Sequence, residues 1–396
     1  MKFYVIGIDD NQNQEFSSEV NHIIQSNSIF SGGKRHYEIV KEYLPTAHQW
    51  IDIVVPLSDV FKQYESCENI VVFASGDPLF FGFANTIKRE VPDAEIILYP
   101  YFNSLQLLAH RLVLPYHDMH IVSLTGRPWD KFDEALISGY AKIGILTDKK
   151  NHTPSTIAQR MLDFGYDNYT MTVGELLGNK EEENTSTWNI KDIIGKEFKF
   201  PNNIILQQTY KRNKPFGLPN EKCHLLDGRV NMITKMPIRL LSLSMLDLWN
   251  KETLWDVGFC TGSVSIEAKL QFPHLKVIAF EIREEGRELI DANAKLWGTP
   301  GIESYIGDFT LKDISELPRP DAVFIGGHGG KMNHIIQKIA PILADNGVIV
   351  FNSVSENSQS LFREAIQENN LTLQESTSIQ IDNYNTILVM KAIKNK

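Results

Sequence analysis

Short apolar runs recur along this chain, bounded by Gly, Pro, Asn or Asp and separated by stretches with helical spacing. In the first half they predict strands over 2–8, 69–74, 95–98, 120–124, 142–146 and 168–173, with a strand-like stretch over 198–209. In the second half they recur over 253–257, 276–282, 303–308, 321–326 and 347–353. Two last runs, 371–379 and 386–392, flank Asp382 and Asn383 and read as an antiparallel hairpin that closes the sheet. Strand and helix in alternation predict an α/β fold with parallel sheets. The pattern breaks at Lys211-Arg-Asn-Lys-Pro-Phe-Gly-Leu-Pro-Asn220, whose prolines and glycine sustain neither helix nor sheet. The expected division is therefore a domain over 1–210, a linker over 211–226 and a domain over 227–396.

Composition narrows this picture only a little. A length of 396 residues allows two or three domains. No apolar run is long enough to span a bilayer, so no membrane partner is expected. The chain opens directly on a strand, without the pattern of a signal peptide. Its three cysteines, Cys67, Cys223 and Cys260, are widely spaced. Together these point to the cytoplasm and to no structural metal. A net charge of −10 argues against a general nucleic-acid binder.

The chemistry is concentrated at Leu254-Trp-Asp-Val-Gly-Phe-Cys-Thr-Gly262. A strand runs into a turn bracketed by glycines, a helix follows over 263–270, and Glu281 ends the next strand. This is the βαβ unit of a nucleotide-type site, with an acidic residue placed to bind ribose hydroxyls. The turn lacks the middle glycine of a dinucleotide site. Asp256 before the first glycine would suit a ligand ammonium and repel a pyrophosphate. Adenosine at one end and a charged amino acid at the other describe S-adenosylmethionine. A plain α/β core turn would carry the same glycines; Asp256 and Glu281 in register favour the methyl-donor site.

Further strings extend the reading. Ser31-Gly-Gly-Lys-Arg-His36, Ala74-Ser-Gly-Asp-Pro-Leu-Phe-Phe-Gly82, Asn103-Ser-Leu-Gln106, Ser123-Leu-Thr-Gly-Arg-Pro128, Leu146-Thr-Asp148 and Val173-Gly-Glu-Leu-Leu-Gly178 resemble the tetrapyrrole methylases of cobalamin synthesis. Asp227-Gly-Arg, Ile233-Thr-Lys, the turn at 255–262 with Ser263-Val-Ser-Ile-Glu267, Gly307-Asp308 and Pro320-Asp-Ala-Val-Phe-Ile-Gly-Gly327 resemble the decarboxylating precorrin methyltransferases. In this order the two halves resemble the fused precorrin-6Y C5,15-methyltransferases (decarboxylating). The resemblance implies a tetrapyrrole methylase fold of two α/β subdomains, followed by a Rossmann-like class I methyltransferase domain. It implies two uses of S-adenosylmethionine, one per half: methylation of a precorrin at C5 by the first, and methylation at C15 with decarboxylation of the ring C acetate by the second. It also implies a homo-oligomer, a tetramer by family likeness. Such chemistry needs placement more than a nucleophilic side chain.

On this reading the donor in the first half meets Gly7, Gly76, Asp77, Pro78, Phe81 and Ser104. In the second half it meets Thr234, Asp256, Gly258, Phe259, Cys260, Thr261, Gly262, Glu281, Asp308 and Phe309. The substrate is rich in carboxylates and the chain is acidic, so a local basic pocket must recruit it. Candidates are Lys34, Arg35 and His36, then Arg127, then Lys235 with Arg239. Arg35 and Arg127, beside glycines in matched strings, are the candidate clamps. His328, in Gly326-Gly-His-Gly-Gly330, is either a proton shuttle or a plain loop histidine. Two positions depart from the pattern. Asp9 stands where the first turn usually has a glycine, which leaves open a first half that binds without transferring. Phe259-Cys260 replaces a small residue and a glycine. A methyltransferase acting on RNA or protein is the alternative for the second half taken alone.

Overall fold

The computed structural model describes all residues except Val230, Asn383 and Lys396. It divides into two compact units, one of 1–127, 140–159 and 169–209, the other of 128–139, 160–168 and 210–396.

The first unit holds two five-stranded sheets. β1 (Lys2–Ile8), β2 (Ile29–Gly32), β3 (Gln49–Asp52), β4 (Asn69–Ser75) and β5 (Glu95–Tyr99) form an all-parallel sheet in the order 3-2-4-1-5. β6 (His120–Ser123), β7 (Lys142–Leu146), β8 (Tyr169–Glu175), β9 (Asn184–Asn189) and β10 (Asn202–Gln208) form a mixed sheet in the order 6-7-10-8-9. The expected strands are present. β2, β3 and β9 were not legible in the pattern. β2 and β3 have four residues each, and β3 buries only Ile51. β9 is Asn-Thr-Ser-Thr-Trp-Asn, a polar edge strand that exists because β8 offers it a ladder and Thr172 meets Thr187 hydroxyl to hydroxyl at 2.9 Å.

The second unit is built on one seven-stranded sheet of β11 (Thr253–Val257), β12 (Lys276–Glu281), β13 (Ile302–Ile306), β14 (Ala322–Ile325), β15 (Val348–Ser353), β16 (Thr372–Ile379) and β17 (Ile387–Ile393). Its order is 13-12-11-14-15-17-16, parallel except for β17, which runs against both of its neighbours. β11, β12, β14 and β15 are almost wholly buried, which explains their near-continuous apolar sequences. The hairpin expected at the end is β16–β17; of its turn, Asn383 lies outside the described residues. Strand order reverses between β11 and β14, so their loops diverge and leave a crevice at the carboxyl edge.

The segment expected as a linker lies on this second unit. The N–H groups of Gly217 and Leu218 donate to the Glu267 carboxylate at 3.0 and 2.7 Å, and Leu218 is fully buried against Ile266 and Leu270. Asn293 exchanges both amide bonds with the His224 backbone. Residues 128–139 and 160–168 contribute as well. Asp133 is buried and held bidentately by Arg160, and Ile137 joins the cluster around Leu218. A cut at residue 210 would strip these pieces from the second unit, so only the full chain presents that unit intact.

Candidate active sites

In the second unit, residues at the carboxyl edge line a cavity of about 710 Å³. The size lies within the ordinary range for a small-molecule site. Gly258 has φ +80°, and a Cβ there would stand 2.7 Å from the backbone N and O of Gly327. Thus the glycines at 258 and 326–327 let the loops after β11 and β14 touch each other. Gly327 and Gly329 then open onto free space.

Glu281, at the tip of β12, is 2% exposed yet lines the cavity. Its Oε1 accepts from Ile282 N, Arg283 N and Arg283 Nη1 at 2.9 to 3.1 Å. Its Oε2 accepts from Cys260 N at 2.8 Å and keeps a lone pair for a ligand hydroxyl. Cys260 has φ +50°, and its thiol donates to Met232 O at 3.1 Å. Burial pushes that thiol up from its ordinary pKa, so it is a packing residue and not a nucleophile. Thr234, Gly258, Phe259, Cys260, Asp308 and Phe309 also line the cavity. Asp308 Oδ1 accepts from Thr310 N and Oγ1, and Oδ2 pairs with Lys331, which together hold the carboxyl down at about 2.

Three residues expected at the donor lie elsewhere. Asp256 is fully buried and not on the cavity wall. Strand alternation puts it on the face of Leu254, which packs on Val264 and Ala268, and its Oδ2 accepts from Ser265 N and Oγ at 3.2 and 2.6 Å. It therefore anchors the helix Ser263–Gln271 beneath the turn and does not face a ligand ammonium. Thr261 is 1% exposed, and its carbonyl accepts from Asn293. A Cβ on Gly262 would enter Ile290, so this glycine lets the helix Glu285–Trp297 pack close.

Burial raises the Asp256 carboxyl from 3.8 to about 7, with the nearby Glu281 charge adding to the shift. The native state keeps a proton that the unfolded chain has released. Stability from this group is thus full below about pH 4 and is lost as the pH rises through about 7. Asp256→Asn is expected to flatten this loss. Denaturant midpoints of the two proteins at pH 5 and pH 8 are the measurement, and equal pH dependence in both would exclude Asp256 as its source.

His328 lines the cavity too. Its Nδ1 accepts from Gly330 N at 3.2 Å, so the ring proton sits on Nε2, which faces Ser358 Oγ at 3.4 Å. Partial burial lowers its pKa, so the ring is neutral near pH 7. With both nitrogens engaged it shapes the glycine loop. Among the basic candidates, Lys235 lines the cavity under the Tyr384 ring at 5.1 Å, with no acidic partner among the described residues. Arg239 is fully buried: its Nε meets Glu267 at 3.3 Å and its Nη1 meets Thr234 O at 2.8 Å. It braces the wall and cannot clamp a substrate.

The first unit has its own cavity, about 500 Å³, at the carboxyl ends of β1, β4, β6 and β7 and beside β8 and β10. Gly76, Phe81, Ser104, Arg35 and Arg127 line it. Gly7, Asp77 and Pro78 do not. A Cβ on Gly7 would overlap Gly76 O, and one on Gly76 (φ +60°) would stand 2.7 Å from Asn103 Cα. Three chain segments thus cross here with no room for side chains. Asp77 accepts from Leu79 N at 2.8 Å and fixes the turn. Arg127 stacks over Phe81 at 4.8 Å and has no acidic partner among the described residues. Arg35 pairs with the buried Asp10 at 3.1 Å and donates to Ser75 Oγ at 2.8 Å. His36, held at about 4 by burial and by the Arg35 charge, also meets Ser75. Asp9 lines the cavity, with Oδ1 tied to Asn11 N and Gln14 Nε2.

Some wall residues carried no signal in the sequence. Arg283, Lys331 and Asn352 belong to the second cavity, and Ile381, Tyr384 and Asn385 reach it from the far end of the chain. Asn202 and Asn203 belong to the first.

Residues 226–394 match a family described as a precorrin methyltransferase domain. The chain is 30% identical over 365 residues to a precorrin-6Y C(5,15)-methyltransferase [decarboxylating] of a Sinorhizobium species, covering 90% of this chain and 86% of that protein. A Mycobacterium tuberculosis protein of the same name is 24% identical over 366 residues, covering 91% and 89%. A cobalt-precorrin-6B C(15)-methyltransferase (decarboxylating) of Salmonella typhimurium is 36% identical over 133 residues, covering 34% of this chain and 68% of its own. Similarity running through nearly the whole chain leads to one conclusion: this chain belongs to the family of precorrin-6Y C5,15-methyltransferases (decarboxylating).

Proposed function

We propose that each unit carries its own methyl-transfer site. The first methylates a precorrin at C5; the second methylates C15 and removes the ring C acetate carboxyl. The observation that carries this reading is the similarity over 90% of the chain to a relative named for both positions, joined to one cavity in each unit. Placement of the C15 step in the second unit draws on the match of residues 226–394 to the precorrin methyltransferase domain.

S-adenosylmethionine, one molecule per unit, would supply an electrophilic methyl group. The second cavity fits it: Glu281 Oε2 has capacity for a ribose hydroxyl, and Gly327 and Gly329 leave room beside the turn. Thr234, Phe259, Asp308 and Phe309 would enclose the rest. In the first cavity Gly76, Phe81 and Ser104 would hold the donor, with Gly7, Asp77 and Pro78 shaping the turn behind them. No nucleophilic side chain is needed at either site, because the attacking carbon belongs to the substrate. The protein's part is to align reactants, exclude water and neutralise carboxylates. Arg127 and Lys235 have no acidic partner among the described residues and are the proposed carboxylate anchors, one per cavity. Arg35 acts through Asp10 and Ser75. Asp9, tied back by Asn11 and Gln14, leaves the first cavity open, which supports transfer there and not binding alone.

Arg127→Ala is expected to raise the substrate KM for C5 methylation about tenfold and leave C15 methylation unchanged. Lys235→Ala should do the reverse. NMR of the product from the full chain reads both positions at once. Equal effects of either variant on both positions would defeat the assignment of one reaction to each unit. A homo-oligomer, a tetramer in the cytoplasm, completes the proposal, and light scattering of the purified chain reads its mass.

A further inference from the structure

We propose that Asn203 reads the adenine of the methyl donor in the first unit; this rests on taking that cavity as a donor site. Asn203 lies in β10, paired with Leu146 of β7 on one side and Gly174 of β8 on the other. It is 1% exposed and lines the cavity. Both of its amide atoms, Oδ1 and Nδ2, are buried without a hydrogen-bond partner among the described residues. Its neighbour Asn202 shows the contrast: there Oδ1 accepts from Thr147 Oγ1 and Nδ2 donates to Lys199 O. Leaving a buried amide with neither bond made is costly, and an apolar residue of similar size would avoid the cost. Gly174 makes room for this amide, since a Cβ there would stand 3.1 Å from Asn203 Oδ1.

The chemistry of the surroundings selects the group that the amide meets. Leu107, Leu146 and Leu177 make the nearby wall apolar. The ammonium, carboxylate and sulfonium of the donor call for charged or hydrated partners, which these three leucines do not supply. A flat purine suits it. An amide presents one donor and one acceptor side by side, the complement of the adenine N6 amine beside a ring nitrogen. Asn203 is thus a specificity-determining residue, kept at the expense of stability in the unliganded protein.

The test uses the full chain and S-adenosylhomocysteine. Calorimetry of the natural protein should show two equivalents bound. Asn203→Leu should weaken one of them roughly tenfold to hundredfold while raising the thermal midpoint, since the two orphaned polar atoms at this position are removed. Its C5 methylation should recover at high donor concentration, with C15 methylation unaffected throughout. Asn203→Asp should also weaken that equivalent, because a carboxylate repels the ring nitrogen. If Asn203→Leu binds two equivalents at unchanged affinity, the inference fails, and the amide serves a bound water. If the natural protein binds only one equivalent, the donor reading of the cavity itself is overturned.

Discussion

Replacing Glu281 by alanine is expected to remove donor binding from the second unit and, with it, methylation at C15. The carboxylate gathers three backbone N–H groups and the Arg283 guanidinium within 2.8 to 3.1 Å. One of those N–H groups belongs to Cys260, so Glu281 fixes the shape of the glycine turn as well as lining the cavity. Gly286 exists to admit it, since a Cβ there would stand 2.7 Å from Glu281 Cγ. Hydrogen bonds to a charged group contribute about 1.5–3 kcal/mol each. Loss of the turn anchor together with the ligand contact should therefore weaken the donor by about a hundredfold or more. Calorimetry on the full chain should show one bound equivalent fewer, and the product should lack the C15 methyl. A folded variant that keeps both equivalents at native affinity would place the donor away from Glu281.

Arg239→Met is expected to lower the stability of the second unit by about 3–5 kcal/mol. Arg239 and Glu267 are both fully buried and meet at 3.3 Å. Removing the arginine leaves an uncompensated carboxylate in the core and frees the carbonyls of Leu218 and Thr234, which its guanidinium now holds. Glu267 in turn binds the N–H groups of Gly217 and Leu218, so the pair ties the 215–220 segment to the cavity wall. Denaturant unfolding followed by tryptophan fluorescence reads the loss, with Trp255 fully buried in the core of this unit as the reporter. A change below about 1 kcal/mol would match an exposed pair and mean that water reaches it.

The strands that build each sheet were legible because apolar runs between breakers have few other ways to bury themselves. The strands missed were β2, β3 and β9, which are short or polar and form only because a neighbour supplies a ladder. At the sites, Glu281, Gly258, Asp308 and His328 were legible as residues of one sheet edge, since strand parity and parallel register place them there. Direction was harder to read. Asp256 stands two residues before Gly258, yet the period-2 alternation of β11 turns it under the helix Ser263–Gln271.

Sequence alone thus determined the α/β class and the family, and pointed to the carboxyl edge and to a methyl donor. These follow from local spacing and from strings that neighbouring residues carry together. The tertiary structure decided which charges are free. Arg239 and Arg35 look like Arg127 and Lys235 in the sequence, but Glu267 and Asp10 reach the first two from 28 and 25 positions away. It also decided that the amide of Asn203, one of two adjacent asparagines, has no partner among the described residues while that of Asn202 has two. Pairing between groups distant along the chain depends on how the strands and helices are packed, and no local pattern records it.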